Sequence, residues 1–183
     1  VVNGLEKIPR EGRYILVSNH PLGGLDGIAL MSVIGKVRKD IIFPVNDLLM
    51  NLPNLKELFA PINKHGSNLE NMKIMEEVFA SDVFILYFPA GLDSRKQGKT
   101  IKDLDWKKSI ISLARKHKRD IITTYIEARN TNFFYNLARL RTFLGIKQNI
   151  EMLYLVDEMF KQKDKEIIIT IGNIIPVTFF DER

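Results

Sequence analysis

Residues 14–34 read Tyr14-Ile15-Leu16-Val17-Ser18-Asn19-His20-Pro21-Leu22-Gly23-Gly24-Leu25-Asp26-Gly27-Ile28-Ala29-Leu30-Met31-Ser32-Val33-Ile34. The run from Tyr14 to Val17 is apolar and short, the signature of a buried strand, and Gly27 to Ile34 is compatible with a helix. The turn-forming residues between them join the two. This strand–loop–helix unit sets an imidazole, His20, and a carboxylate, Asp26, on one glycine-rich loop. Catalytic groups often occupy loops at strand ends, because a rigid scaffold positions them.

Outward from this unit, further β-rich runs recur at residues 41–45, 83–88, 121–126 and 166–171, with helical segments between most of them. That rhythm predicts a layered α/β domain. The clearest helix start is Ser67-Asn68-Leu69-Glu70, a capping box followed by Met72, Met75, Val78 and Phe79 at helical spacing, and the helix should end near Ala80. Further helices are expected over 106–117, with Trp106, Ile110, Leu113 and Ala114 on one face, and over 133–143. No repeat, low-complexity tract or long linker interrupts the chain, so one domain over 1–183 is expected, and the start at Val1 suggests a piece trimmed at both ends.

With 183 residues, 45% of them hydrophobic, the chain can bury a core without staples. The absence of cysteine excludes disulfides, thiolate ligands and a cysteine nucleophile. The three histidines, His20, His65 and His117, are far apart in sequence and form no metal-ligand spacing. A net charge of +5 favours anionic partners. No apolar stretch reaches the roughly 18 residues of a membrane span, and no signal-peptide pattern opens the chain. Basic residues are scattered without an aromatic stacking surface, which argues against nucleic acid.

His20 and Asp26 admit two readings. A histidine whose tautomer is fixed by a carboxylate can take a proton from a hydroxyl. Alternatively, Asn19-His20-Pro21 is an ordinary turn and Asp26 only caps the helix beginning near Gly27. A second segment, Leu86-Tyr87-Phe88-Pro89-Ala90-Gly91-Leu92-Asp93-Ser94-Arg95-Lys96-Gln97-Gly98-Lys99, runs from a buried strand into a loop with a hydroxyl and three cations, suited to an anionic head group or simply solvated. A third, residues 59–66, ends in Lys64 beside His65, which is expected at the surface or near a cap. His117, in Arg115-Lys116-His117-Lys118-Arg119, is expected on a solvated helix end, where the cluster could alternatively touch acidic phospholipid.

Together these segments resemble the phospholipid acyltransferase family typified by bacterial 1-acylglycerol-3-phosphate acyltransferases. Asn19, His20 and Asp26 match its Asn-His-x-x-x-x-Asp block. Residues 59–64 loosely match a second block, with Lys64 where the family has a phosphate-binding arginine. Phe88, Pro89, Gly91, Ser94 and Arg95 match its Phe-Pro-Glu-Gly-x-x-Ser-Arg block. A weak fourth block is expected near residues 121–124, and residues 132–141 could line an acceptor pocket or pack a helix. The match covers about residues 10 to 180.

The resemblance implies a glycerol-3-phosphate acyltransferase-like α/β/α domain with a central, mostly parallel or mixed sheet. It also implies that His20, oriented by Asp26, is the general base that activates an acceptor hydroxyl to attack an acyl thioester. The co-substrate would be acyl carrier protein or coenzyme A, with no further cofactor and no metal. Asn19, Lys64, Phe88, Pro89, Gly91, Ser94 and Arg95 would form the substrate-binding set. A lyso-aminolipid or lysophospholipid acceptor and a place on the inner face of the cytoplasmic membrane follow from the same likeness.

Two departures stand out. Five residues rather than four separate His20 from Asp26, and Gly23 and Gly24 are expected to absorb the extra one. Ala90 replaces the glutamate thought to contact the acceptor head. The pair of variants resembles a Bacteroidetes branch often labelled hemolysin, some of whose members are linked to O-acylation of N-acylated amino-acid lipids of the ornithine or glycine type. Nothing in the chain looks like a membrane-inserting hairpin. A catalytically silent anion- or lipid-binding module, its chemistry lost with the stretched spacing, is the other reading.

Overall fold

The strand opening the fold, Tyr14–Ser18, is central to the sheet, and its buried residues alternate between two cores. The computed structural model describes residues 1–46, 53–62 and 68–181. Nine strands are described: β1 (Val2–Asn3), β2 (Tyr14–Ser18), β3 (Ile41–Asn46), β4 (Phe59–Ile62), β5 (Phe84–Tyr87), β6 (Arg95–Gln97), β7 (Thr100–Lys102), β8 (Asp120–Glu127) and β9 (Ile168–Ile175). The helices are α1 (Gly24–Ile34), α2 (Asn68–Ala80), α3 (Ser109–Lys116), α4 (Asn132–Phe143) and α5 (Leu155–Phe160). Seven strands form one sheet in the order β1-β9-β8-β2-β5-β3-β4. From β8 to β4 all neighbours are parallel, while β9 runs antiparallel to β8 and carries β1 at the edge.

A parallel strand between two neighbours must cover both its faces, which explains why Ile15, Leu16 and Val17 are all apolar and all buried. Leu16 faces a core with Leu30, Ile34, Phe43, Leu86 and Ile122. Ile15 and Val17 face the other core, with Phe79 of α2 and Ile110 and Ala114 of α3. Each such aliphatic side chain contributes roughly 1.5–3 kcal/mol on burial. α1 lies close on β3 because Gly27 carries no side chain: a Cβ there would stand 2.6 Å from Phe43 Cε1. The result is the expected α/β/α layering around a mostly parallel, mixed sheet.

Several local expectations need correction. Trp106 is not on a helix: α3 starts at Ser109, and the Trp106 indole N–H instead donates to Asp103 Oδ2 at 3.0 Å. The basic loop after β5 contains a hairpin, with β6 pairing antiparallel to β7. His117 is not solvated, for its Nε2 lies 2.8 Å from Glu76 Oε2 and the ring packs on Phe79, tying α3 to α2. The neighbouring cations are likewise engaged within the protein. Arg115 pairs with Asp181 at 2.8 Å and Lys116 with Glu76 at 2.6 Å, and buried Arg119 donates to the carbonyls of Phe79 and Val83. The 115–119 cluster is thus a clamp between elements. Burial lowers the Arg119 pKa to about 10.

Candidate active site

The register pairs Val17 of β2 with Tyr87 of β5, so the residues leaving the carboxyl ends of these two parallel strands emerge side by side. Crevices at the carboxyl ends of such strands are where α/β sheets place their sites. The His20 ring, two residues beyond β2, stacks on Phe88, one residue beyond β5, with centroids 4.1 Å apart and planes 20° apart. Phe88 thus supports the ring from one side.

The Asp26 carboxylate supports it from another. Asp26 Oδ2 lies 3.1 Å from His20 Nδ1 and also accepts the backbone N–H of Leu22 at 2.7 Å and of Gly23 at 3.1 Å. The local chain explains this. Helix α1 starts at Gly24, three residues before the expected position, so Asp26 sits in the first turn and its side chain folds back to the helix entrance. Accepting the Gly23 N–H is one half of a capping box. Gly23 absorbs the extra residue of the His-to-Asp spacing alone: its backbone has φ 78° and ψ −134°, a conformation open to glycine. Gly24 has ordinary helical φ, with nothing within 4 Å of a Cβ placed there. The expectation that both glycines were needed is corrected to Gly23.

Asp26 is fully buried, and Oδ1 has no hydrogen-bond partner. Burial pushes its carboxyl above the usual carboxylate range, opposed by the hydrogen bond and charge of His20 and by the two backbone donors. Because Oδ2 already accepts two N–H groups, an ionised Asp26 requires His20 Nδ1 to carry the proton. Nε2 is then left with its lone pair facing outward, the tautomer a base needs.

The backbone of His20 is held as firmly as its ring. Both carboxylate oxygens of Asp103 accept the His20 N–H, at 3.1 and 3.2 Å, and Oδ1 also accepts Ser94 Oγ at 2.6 Å. The Ser94 N–H donates to the His20 carbonyl at 2.7 Å. Asp103 escaped the sequence reading because it stands 83 positions from His20 and belongs to no motif. The other residues of the expected set are also placed by this framework. Asn19 extends the β2–β8 pairing through its side chain, Nδ2 donating to Ile126 O at 2.9 Å and Oδ1 accepting the Ile126 N–H at 2.7 Å. The Gly91 N–H closes a turn on Phe88 O at 3.0 Å, and Pro89 O accepts the Lys107 N–H at 3.1 Å.

Arg95 departs most from expectation. Rather than facing solvent, it is buried between two fully buried carboxylates: Nη1 donates to Asp93 Oδ2, and Nη2 to Glu151 Oε1 at 3.0 Å. Its guanidinium also lies over the Phe134 ring at 5.4 Å. Glu151 in turn accepts Arg141 Nε at 2.9 Å. As a head-group ligand Arg95 is therefore corrected to a strut joining the β6 hairpin to residues 150–154 and α4. Lys64 and His65 lie outside the described residues. Phe134 and Tyr135 are buried, so the aromatics of α4 do pack, whereas Phe133 is exposed.

Ala90 is buried, so no polar side chain of its own faces the turn. The Lys107 ammonium is close by, 3.3 Å from where a Cβ on Gly91 would lie.

Residues 1–182 match a family profile described as Acyltransferase. Two curated relatives align over 183 residues, 99% of the chain: a lyso-glycine lipid O-acyltransferase of Phocaeicola vulgatus, 50% identical, and one of the same name from Bacteroides thetaiotaomicron, 49% identical. The chain spans about two thirds of their lengths, 66% and 67%. The fold is similar to the crystal structure of the 1-acyl-sn-glycerophosphate acyltransferase PlsC from Thermotoga maritima, with a TM-score of 0.59 at 18% identity, covering 98% of this chain and 62% of that one.

Proposed function

Because the chain belongs to the acyltransferase family, we propose that it moves an acyl group from a thioester to the hydroxyl of a lyso-glycine lipid, with His20 as the base. The observation that carries the reading is the His20 ring held between the buried Asp26 carboxylate, at 3.1 Å, and the Phe88 face. His20 Nε2 takes the proton of the acceptor hydroxyl as its oxygen attacks the thioester carbonyl carbon. The imidazolium that forms is stabilised by Asp26 at Nδ1. Collapse of the tetrahedral intermediate breaks the C–S bond, and Nε2–H returns the proton to the leaving thiolate. No acyl-enzyme is required. The donor is acyl carrier protein or coenzyme A thioester.

The acceptor assignment rests on charge. An N-acylated glycine keeps its carboxylate, and a glutamate at position 90 would repel it; Ala90 removes that charge. Lys107, exposed beside Gly91 and without an acidic partner among the described residues, supplies a cation for the carboxylate.

The test is acyl transfer by purified protein from each donor to lyso-glycine lipid and to lysophosphatidate. His20→Ala is expected to lose turnover by about 10²–10⁴-fold, and parent-like turnover would remove the base assignment. Lys107→Ala is expected to raise KM for lyso-glycine lipid about tenfold, as for loss of a charged hydrogen bond, and to leave KM for its uncharged amide unchanged.

A further inference from the structure

A surface beside the catalytic loop has no role in the chemistry above. Of the 18 large hydrophobic residues exposed among the described residues, eight fall between positions 133 and 160. Phe143 is 87% exposed, Leu153 83% and Phe160 70%, values that leave almost the whole side chain in water. These residues belong to α4, the 3-10 turn Ile150–Tyr154 and α5, which form one unit: Phe133 meets Tyr154 edge to face at 5.1 Å, Arg141 holds Glu151, and the buried Glu158 accepts Thr131 Oγ1 at 2.6 Å. A folded surface that concentrates side chains of this size is a contact site.

The charges around it have a sign. Residues 129–165 carry seven cations against four acids, and two of those acids, Glu151 and Glu158, are fully buried. Arg139, Lys147 and Lys163 are exposed and have no acidic partner among the described residues. Arg139 edges an open groove of about 300 Å³ formed with Asn136, Leu140 and Phe143. Apolar side chains ringed by unpaired cations match the interface of an anionic bilayer, where rings and leucines enter the acyl boundary and ammonium and guanidinium groups meet phosphates.

The surface is also continuous with the catalytic loop. Leu155 lies directly over Gly23, its Cδ atoms 3.0 and 3.1 Å from where a Cβ would stand, and its neighbours Leu153, Tyr154 and Val156 face outward. We propose that α4, residues 150–154 and α5 form the face that seats the protein on an anionic membrane, with Phe143, Leu153 and Phe160 as the inserted side chains. Seated so, the entrance to His20 meets the bilayer at the level from which an acceptor with a hydrocarbon tail would arrive. The relevance to catalysis rests on the proposed acyltransferase reading, but the binding does not.

The experiment compares the parent with Phe143→Glu/Leu153→Glu/Phe160→Glu, none of which belongs to the site. Cosedimentation uses vesicles of phosphatidylglycerol with phosphatidylcholine, and vesicles of phosphatidylcholine alone. The parent should bind the anionic vesicles in a salt-sensitive manner, and the variant at least about tenfold less. With an unchanged thermal midpoint, the variant should lose transfer to acceptor held in vesicles while keeping transfer to a monodisperse short-chain acceptor. Equal vesicle binding by parent and variant overturns the proposal, as does a parent that binds no anionic vesicle. A parent that self-associates where the variant is monomeric also overturns it, in favour of a second copy of this chain. Vesicle binding without turnover on either acceptor by the parent leaves this face standing and refutes the acyltransferase reading instead.

Discussion

Asp26→Asn separates the charge of the orienting residue from its shape. The asparagine oxygen can still accept the Leu22 and Gly23 N–H groups, and its NH₂ can occupy the place of Oδ1, which has no partner to lose. What disappears is the attraction between a carboxylate and the imidazolium formed in the transition state. With Nδ1 and Oδ2 at 3.1 Å, the charge centres are about 4 Å apart, which at an effective dielectric near 20 amounts to about 4 kcal/mol. Partial exposure of the ring reduces this to about 2–4 kcal/mol, a fall in kcat of roughly 30- to 1,000-fold. KM should hardly move, because the imidazolium does not exist in the ground state. Stability should respond in the opposite sense. Burial raises the folded-state pKa of Asp26 above its unfolded value, so ionisation opposes folding, and the parent loses stability as pH rises through that folded pKa. The neutral asparagine escapes this loss, so the variant should melt no lower than the parent at neutral pH, the two converging as pH falls. Thiol release followed by a chromogenic reagent, with thermal melts across pH, reads both quantities. A variant within about threefold of parental kcat, or one that unfolds well below the parent at neutral pH, would refute the reasoning.

The remaining predictions concern the framework. Gly23→Ala should destabilise by about 1–3 kcal/mol in urea titration, since alanine is strained in that backbone conformation and its methyl meets Leu155. Gly24→Ala, in open space on a helix, should be neutral or stabilising by up to about 1 kcal/mol. Asp103→Ala should lower kcat about tenfold or more by freeing the His20 backbone. It should also shift the emission of Trp106, the only tryptophan, because its indole loses its acceptor. Arg95→Met should cost about 3–5 kcal/mol of stability by leaving Asp93 and Glu151 buried and unpaired. A head-group ligand would instead show its loss in KM.

The sequence was most legible where burial is symmetric. The central strands β2, β3, β5 and β8 fall within one residue of the expected bounds at nearly every end, because two-faced burial writes an unbroken apolar run. The edge strand β1 and the hairpin β6–β7 carry no such run; Arg95-Lys96-Gln97 reads as a solvated loop until its partner strand is known. Residues 150–160 were passed over for the opposite reason. Their apolar side chains point outward, so they follow no core periodicity. The pairing of His20 with Asp26 was visible because both lie on one loop, but the groups that hold this pair and its neighbours, Asp103, Asp93 and Glu151, meet it only through the fold.

The two sequence readings of Asp26, cap or catalytic partner, prove to be one arrangement. A helix that began near Gly27 would have placed Asp26 at its cap, with the carboxylate occupied there and the histidine served only if the loop bent back. Starting the helix at Gly24 moves Asp26 into the first turn, where the side chain already points toward the chain that precedes the helix, and His20 is on that chain. The two backbone N–H groups then hold Oδ2 in place whether or not the imidazole is charged. A carboxylate fixed this way needs no reorganisation when the imidazolium forms, which is the condition under which its charge contributes most to a transition state. The inserted residue therefore lengthens the sequence between His20 and Asp26 without lengthening the hydrogen bond between them.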